Sequence, residues 1–255
     1  QAGAHTGVSA VITSLTVVVT LLFFTPLLYH LPQSVLAAVI MLAVFGLVNI
    51  SGFIHAWKAQ WYDGAISIIS FVVTLVLAPH LEKGIEIGVV LSLLVYLYKA
   101  MRPTVASLAR HEDESLRDAM FHGLQECEHI AVVRFDGPLF FANASYLEDK
   151  IMERMLKMKK LKHILIVSNG INDIDASGEE ALSLLVERVR AADIDISFSG
   201  VNESVMAVFK RTHLLEKIGT DHIYSNKEDA IGVVYERTHQ GANELCPLKT
   251  VCHLT

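Results

Sequence analysis

The sequence predicts two regions of different fold class. An all-α membrane region over roughly the first hundred residues is followed by a soluble α/β domain with a mostly parallel sheet covered by helices. Three observations predict this division: the first 101 residues carry almost no charge, long apolar runs occur only there, and strand patterns alternate with helical patterns after residue 129.

The charge distribution separates the two regions most clearly. The chain has 255 residues with 21 basic and 27 acidic side chains, and residues 1–101 contain only three of each. The remaining residues therefore carry 18 basic and 24 acidic side chains, which is the whole net charge of −6. Because this acidic region has no basic cluster to displace phosphate counterions, we expect no nucleic-acid partner.

Four apolar runs occupy the predicted membrane region. Residues 8–31 and 34–54 are free of Asp, Glu, Lys and Arg, and each has at least the ~20 residues that a membrane span needs. Residues 65–78 and 85–98 are shorter, so they either stop partway or span with polar ends buried in protein. Lys99 and Arg102 after the last run favour a cytoplasmic exit.

The soluble region follows Pro103. Its first part, residues 103–126, is predicted as a linker, polar and weakly helical. Buried-strand patterns come next, the second of them as the hairpin partner of the first; these are residues 130–135, 138–142, 162–168, 195–199 and 222–224. Because helical patterns separate the later strands, most neighbouring strands are expected to be parallel.

The predicted domain boundaries follow from these patterns. Residues 1–102 form the membrane part, 103–126 the linker, 127–240 the α/β domain, and 241–255 a disordered tail. The chain begins without an initiator Met, which predicts that it is the C-terminal piece of a longer protein.

Motifs that would indicate catalysis are absent from the sequence. It has no phosphate-binding glycine loop and no His-Glu-x-x-His pair. Its cysteines, Cys127, Cys246 and Cys252, are too few and too irregularly spaced for a disulfide framework, and Cys246 with Cys252-His253 lacks the pairing of a zinc site. We therefore expect no catalytic residue, no metal, no cofactor and no enzymatic activity.

Two short motifs carry a family resemblance. Residues 172–178, Asn-Asp-Ile-Asp-Ala-Ser-Gly, resemble the loop of a STAS domain, the fold shared by anti-sigma factor antagonists and the tails of SulP sulfate permeases. The membrane region resembles the end of a SulP permease in the segments Ala2-Gly-Ala-His-Thr-Gly7, Thr25-Pro-Leu-Leu-Tyr29 and Leu31-Pro-Gln-Ser-Val-Leu-Ala-Ala38. The occurrence of both motifs in this order in one chain is a more specific sign of the family than either motif alone.

The resemblance implies the last helices of an inverted-repeat transporter followed by a STAS domain. In that family the anion lies near the bilayer midplane between two broken helices, whose N-termini supply free N–H groups. The second of these helices would precede Gln1. We therefore expect no substrate-binding residue in this chain.

Ser177 is the single residue with the most specific functional prediction, and two interpretations of it stay open. The resemblance implies that Asp175, Ser177 and Gly178 form a regulatory loop in which a partner kinase phosphorylates Ser177. Alternatively, Ser177 and Glu180 form a capping box that starts a helix. Glu179 and Glu180 would also repel an added phosphate.

The sequence thus predicts secondary transport of a small inorganic or carboxylic anion: sulfate first, then bicarbonate or a dicarboxylate. Coupling would be to H⁺, Na⁺ or a counter-anion. The protein would be a multi-pass homodimer in the lipid bilayer of the inner or plasma membrane, with a cytoplasmic regulatory STAS domain that docks a partner protein. The alternative is a signalling module whose hydrophobic segments only anchor a STAS phospho-switch.

Overall fold

The computed structural model describes residues 7–28, 32–45, 49–239 and 246–249. Most of the first permease-like motif, residues 29–31 and most of the predicted tail lie outside the described residues. The chain divides into two compact units, Gln1–Ser92 and Leu93–Thr255, which are treated separately below. The predicted boundary at residue 102 stays a prediction.

The first unit is helical throughout its described part. Its helices are α1 (Gly7–Leu28), α2 (Gln33–Phe45), α3 (Ile50–Ala59), α4 (Trp61–Val76) and α5 (Leu81–Met101), the last of which continues into the second unit. Helices α1 and α2 are mostly apolar and contain no charged residue, and α2 buries none of its residues. A mostly apolar helix with no buried face suits a lipid environment, not water.

Two described segments are long and apolar enough to cross a membrane. These are Gln33–Ala59, which contains α2 and α3, and Leu81–Met101, which is α5. The last apolar run therefore belongs to a longer helix than its 14 residues predicted, because α5 also includes the polar stretch from Glu82 and ends beyond Lys99. Helix α4 is a shorter apolar helix of 16 residues.

Small residues bring the helices of this unit into close contact. A Cβ atom at Gly84 would lie 2.5 Å from the Cα atom of Thr74, and one at Gly88 would lie 2.4 Å from the Ser70 hydroxyl. Gly84 and Gly88 are one helical turn apart on α5, and they face Ser70 and Thr74 of α4. This close packing of small residues is the usual contact between helices in lipid, where burying large apolar side chains brings no gain.

The second unit is built on a six-stranded sheet with the order β2-β1-β3-β4-β5-β6. The strands are β1 (Thr104–Arg110), β2 (Leu116–Asp118), β3 (Ile130–Asp136), β4 (His163–Gly170), β5 (Asp195–Ser199) and β6 (Ile223–Tyr224). Strands β3 to β6 are parallel, and β1 is antiparallel to both its neighbours. The predicted mostly parallel sheet is confirmed.

Two local predictions are wrong. Residues 104–118 are not a weakly helical connector, because they form β1 and β2, and a short helix α6 (Ala119–His122) follows. The small residues Ala106, Ser107 and Ala109 of β1 have low strand propensity, so the sequence of β1 lacks a clear strand pattern. Residues 138–142 are not a hairpin strand, because β1 already pairs with the edge of β3 that a hairpin would use.

Helices cover both faces of the sheet. One face packs against α7 (Ala144–Lys157), α8 (Ala176–Ala191), α9 (Glu203–Arg211) and α10 (Leu214–Ile218), around buried residues such as Phe135, Ile166 and Phe198. The other face packs against α11 (Lys227–Thr238). Leu248 also joins this second core and is 2% exposed, so part of the segment predicted as a disordered tail lies against the domain.

Candidate functional site

The predicted regulatory loop lies where β3 and β4 end. Because the two strands are parallel, their carboxyl ends at Asp136 and Gly170 meet at one edge of the sheet, where ligands commonly bind in α/β folds. A Cβ atom at Gly170 would lie 2.4 Å from the carbonyl oxygen of Phe135, so only glycine fits this crossing. The loop then leads to the N-terminus of α8.

Backbone hydrogen bonds hold this loop against residues 138–141. The amide of Leu139 donates to the carbonyl of Asp173 at 2.9 Å, and the amide of Asp175 donates to the carbonyl of Leu139 at 3.1 Å. Leu139 and Ile174 form a parallel bridge. The segment that was predicted as a hairpin strand therefore supports the loop.

Asp175 caps α8. One carboxylate oxygen accepts a hydrogen bond from the amide of Gly178 at 2.7 Å, and the other accepts one from the amide of Phe141 at 3.0 Å. A Cβ atom at Gly178 would lie 2.5 Å from the carbonyl oxygen of Leu139, so this position requires glycine. Asp175 and Gly178 are thus in direct contact through the helix cap, and their regulatory role stays a prediction.

Ser177 has a different role from the predicted cap. Helix α8 begins at Ala176, so Ser177 is its second residue, and the cap is Asp175. Both residue types cap helices well, but the contact of Asp175 with Phe141 decides between them. Ser177 is exposed.

The charge around Ser177 is negative. The sequence from Asn169 to Glu180 contains Asp173, Asp175, Glu179 and Glu180, and it contains no Lys, Arg or His. The free amide groups of the first turn of α8 offset part of this charge. The loop can present a hydroxyl for modification, but residues 169–180 include no cation that would hold a free anion.

Three polar side chains fix the loop and its surroundings through partners that the sequence does not predict. The side-chain amide of Asn202 donates to the backbone carbonyl of Ile171 at 2.7 Å. The hydroxyl of Ser204 donates to the backbone carbonyl of Asn172 at 3.1 Å. Asn143 is fully buried and donates to the carbonyls of Ala100 and Pro138. No local pattern marks these residues, because their partners lie far away in sequence.

A second polar cluster lies in the sheet, around His163. Its Nε2 atom is 2.9 Å from the Ser197 hydroxyl, and Asp195 lies 3.7 Å from its Nδ1 atom. Asp195 also pairs with His222 at 2.7 Å. Burial lowers the pKa of His163 to about 4, because the charged imidazolium loses its water. With Ser197 and His163 both buried, this Ser-His-Asp group has no access for a substrate.

Sequence profiles of two families match the chain. The Sulfate permease family matches residues 1–98, and the STAS domain matches residues 124–230. The order of the two matches is the order that the motifs predicted.

Named relatives and a solved structure agree with these matches. The chain is 28% identical to Sulfate transporter 4.1, chloroplastic, of Arabidopsis thaliana over 91% of this chain and 36% of the relative. It is 25% identical to High affinity sulfate transporter 2 of Stylosanthes hamata over 93% of this chain and 37% of the relative. The fold is similar to that of the murine Solute Carrier 26 family member A9 anion transporter in the inward-facing state, with a TM-score of 0.73 and 22% identity, over 92% of this chain and 38% of that one.

The chain spans somewhat more than a third of the length of these relatives. Their names are those of transporters, which agrees with the prediction that the chain is not an enzyme. The predicted fold class, membrane helices followed by an α/β STAS domain, is confirmed. The chain is similar to the Sulfate permease family over residues 1–98 and to the STAS domain over residues 124–230.

Proposed function

We propose that this chain serves in the secondary transport of a small anion across a membrane, with sulfate as the first candidate. The observation that carries the proposal is the joint match of a permease region and a STAS domain in this order. The names of the relatives, which are sulfate transporters, support sulfate over bicarbonate and dicarboxylates. H⁺ or Na⁺ is proposed as the coupling ion.

The exposed apolar surface of the helices supports a place in lipid. Leu22 is 72% exposed and Phe45 is 75% exposed, although water disfavours both side chains. Helices α1 and α2 contain no Asp, Glu, Lys or Arg, so they offer no charged group that would bind an anion. We propose that they serve as scaffold, in a multi-pass homodimer of the inner or plasma membrane with a cytoplasmic STAS domain.

Uptake into proteoliposomes tests the transport proposal. The complete gene product and residues 1–255 alone are each reconstituted with labelled sulfate, bicarbonate or succinate outside. We expect sulfate uptake by the complete product, driven by an imposed H⁺ or Na⁺ gradient, and none by residues 1–255. If the complete product moves none of the three anions, the substrate class is wrong. Uptake by residues 1–255 would contradict the scaffold role.

We further propose that Ser177 is the site at which a partner kinase regulates the STAS domain. Ser177 is exposed and Asp175 performs the capping, so modification would leave the helix cap intact. The γ-phosphoryl group of a nucleoside triphosphate would pass to the Ser177 oxygen, with release of the diphosphate and the hydroxyl proton. The first turn of α8 would stabilise the phosphate, while Glu179 and Glu180 would oppose it.

Ser145 provides a matched control, because it is the exposed second residue of α7 as Ser177 is of α8. We expect Ser177→Ala and Ser177→Asp to change regulated uptake in opposite directions, and Ser145→Ala to leave it unchanged. Full regulated uptake by both Ser177 variants would end the proposal. If the complete product carries phosphate on Ser177 and transports no anion, the anchored signalling module is the better function.

A further inference from the structure

Three metal-binding side chains meet at one end of the STAS domain, away from the Ser177 loop. Cys127 precedes β3, His239 follows α11, and Cys246 begins the described segment 246–249. Their sulfur and ring nitrogen atoms all lie within 4.8 Å of one another. The fold brings them together, since Cys127 and His239 are 112 residues apart in sequence.

The spacing fits a tetrahedral ion. The Sγ atom of Cys127 lies 3.6 Å from the Nε2 atom of His239. With metal–sulfur and metal–nitrogen bonds of about 2.3 and 2.0–2.1 Å at a tetrahedral angle, zinc places these two atoms about 3.6 Å apart. Two thiolates and one imidazole are a ligand set that zinc uses with a fourth, exchangeable ligand. We propose that Cys127, His239 and Cys246 form a zinc-binding site.

The histidine is oriented for this role. The Thr238 hydroxyl donates its hydrogen to the carbonyl oxygen of Val234 at 2.8 Å. Because a hydroxyl has only one hydrogen, the Thr238 oxygen accepts in its second contact, with His239 Nδ1 at 2.9 Å. This arrangement favours the tautomer of His239 with its proton on Nδ1, which leaves the Nε2 lone pair available toward the sulfur of Cys127. The ring also stacks on Tyr235 at a centroid distance of 4.1 Å, which restricts its rotation. Metal-binding histidines are commonly held in this way.

The first cysteine is buried, and its sulfur accepts a backbone hydrogen bond. Cys127 is 4% exposed, and the backbone amide of His129 donates to its sulfur at 3.4 Å. A cavity of about 260 Å³ beside the three residues, lined also by Gln125 and Glu128, leaves room for a water molecule as the fourth ligand.

The consequence is structural, and it is independent of the proposed transport. Cys246 lies two residues before Leu248, which is buried in the second core. An ion bound to Cys246 and to the domain residues Cys127 and His239 would fasten this segment to the sheet. Chelation of the ion would release the segment.

Zinc content and cobalt spectroscopy of the 255-residue chain test the site. The chain is purified in detergent with a phosphine reductant, equilibrated with Zn²⁺, and freed of unbound ion. We expect one zinc per chain, and with Co²⁺ the intense thiolate charge-transfer absorption of a tetrahedral site. Cys127→Ser and Cys246→Ser should each lose the bound ion and this absorption. The control His213→Asn, an exposed histidine elsewhere in the domain, should keep both.

A fourth variant separates orientation from ligation. Thr238→Val keeps the side-chain shape and all three ligands, and it should weaken zinc binding by about 10–100-fold through loss of the Nδ1 hydrogen bond. Absence of stoichiometric zinc in the folded, reduced chain would overturn the proposal, and so would zinc retained by both cysteine variants. A Cys127–Cys246 disulfide that persists in the reductant would assign the pair to redox chemistry and would also overturn it. Circular dichroism checks that each variant is folded.

Discussion

The two units use the same apolar residue types in opposite ways. In the first unit large side chains lie on the surface, such as Leu22 at 72% and Val76 at 75% exposure, and glycines make the helix contacts. In the STAS domain Leu165 and Ile166 are 0% exposed, and large side chains make the contacts. The difference teaches that the surrounding solvent, and not the residue type, determines whether burial stabilises a position.

Matched phenylalanines give the largest expected difference between the units. Phe198→Ala removes a fully buried ring from the STAS core and should lower the free energy of unfolding by about 3–5 kcal/mol. Phe45→Ala, at a position 75% exposed on α2, should leave the unfolding of the STAS domain unchanged. Hydrogen exchange of the chain in detergent measures both. Equal losses from the two variants would contradict the comparison.

Acid should destabilise the STAS domain through His163. Its pKa is about 4 in the folded domain and ordinarily 6.5, so the unfolded chain binds more protons between these values. Stability from this residue is therefore complete above about pH 6.5 and falls as the pH decreases to about 4, by up to about 3 kcal/mol. Urea unfolding across this range measures the slope. His163→Gln should flatten the slope, whereas the exposed control His213→Asn should not.

The close helix contacts of the first unit should tolerate no added bulk. Gly84→Leu would push a side chain into Thr74 of α4 and should cost about 1–3 kcal/mol, or separate the helices. Both tryptophans of the chain, Trp57 and Trp61, lie in this unit, so their fluorescence in detergent reports its thermal unfolding. An unchanged transition would show that α4 and α5 do not pack through their small residues.

Gly232 in α11 is the glycine of the STAS domain that we compare with Gly84 of the first unit. Its substitution should change stability the least of the four predictions. A Cβ atom there would meet no atom within 4 Å, and the position is helical. Gly232→Ala should therefore stabilise the domain by about 0.5–1 kcal/mol, because alanine loses less backbone freedom on folding. Urea unfolding measures the gain. A loss of stability would indicate a neighbour that packs against this face.

The sequence by itself determined the division of the chain and the central strands. Charge is costly in lipid, so the absence of charge from residues 8–54 marks the membrane region without any knowledge of contacts. Strands β3 and β4 contain continuous apolar runs, the local signature of parallel strands buried on both faces. These features depend on each residue and its immediate neighbours, and a sequence displays both.

Only the tertiary structure decided the features that depend on distant partners. Strand β1 has a weak pattern of its own and exists because β3 offers an edge to pair with. Asp175 caps α8 instead of Ser177, because Phe141, 34 residues earlier, donates its amide to that carboxylate. Cys127, His239 and Cys246 meet only once the sheet and α11 have formed. Contacts between residues far apart in sequence are set by the topology of the chain, which no local pattern encodes.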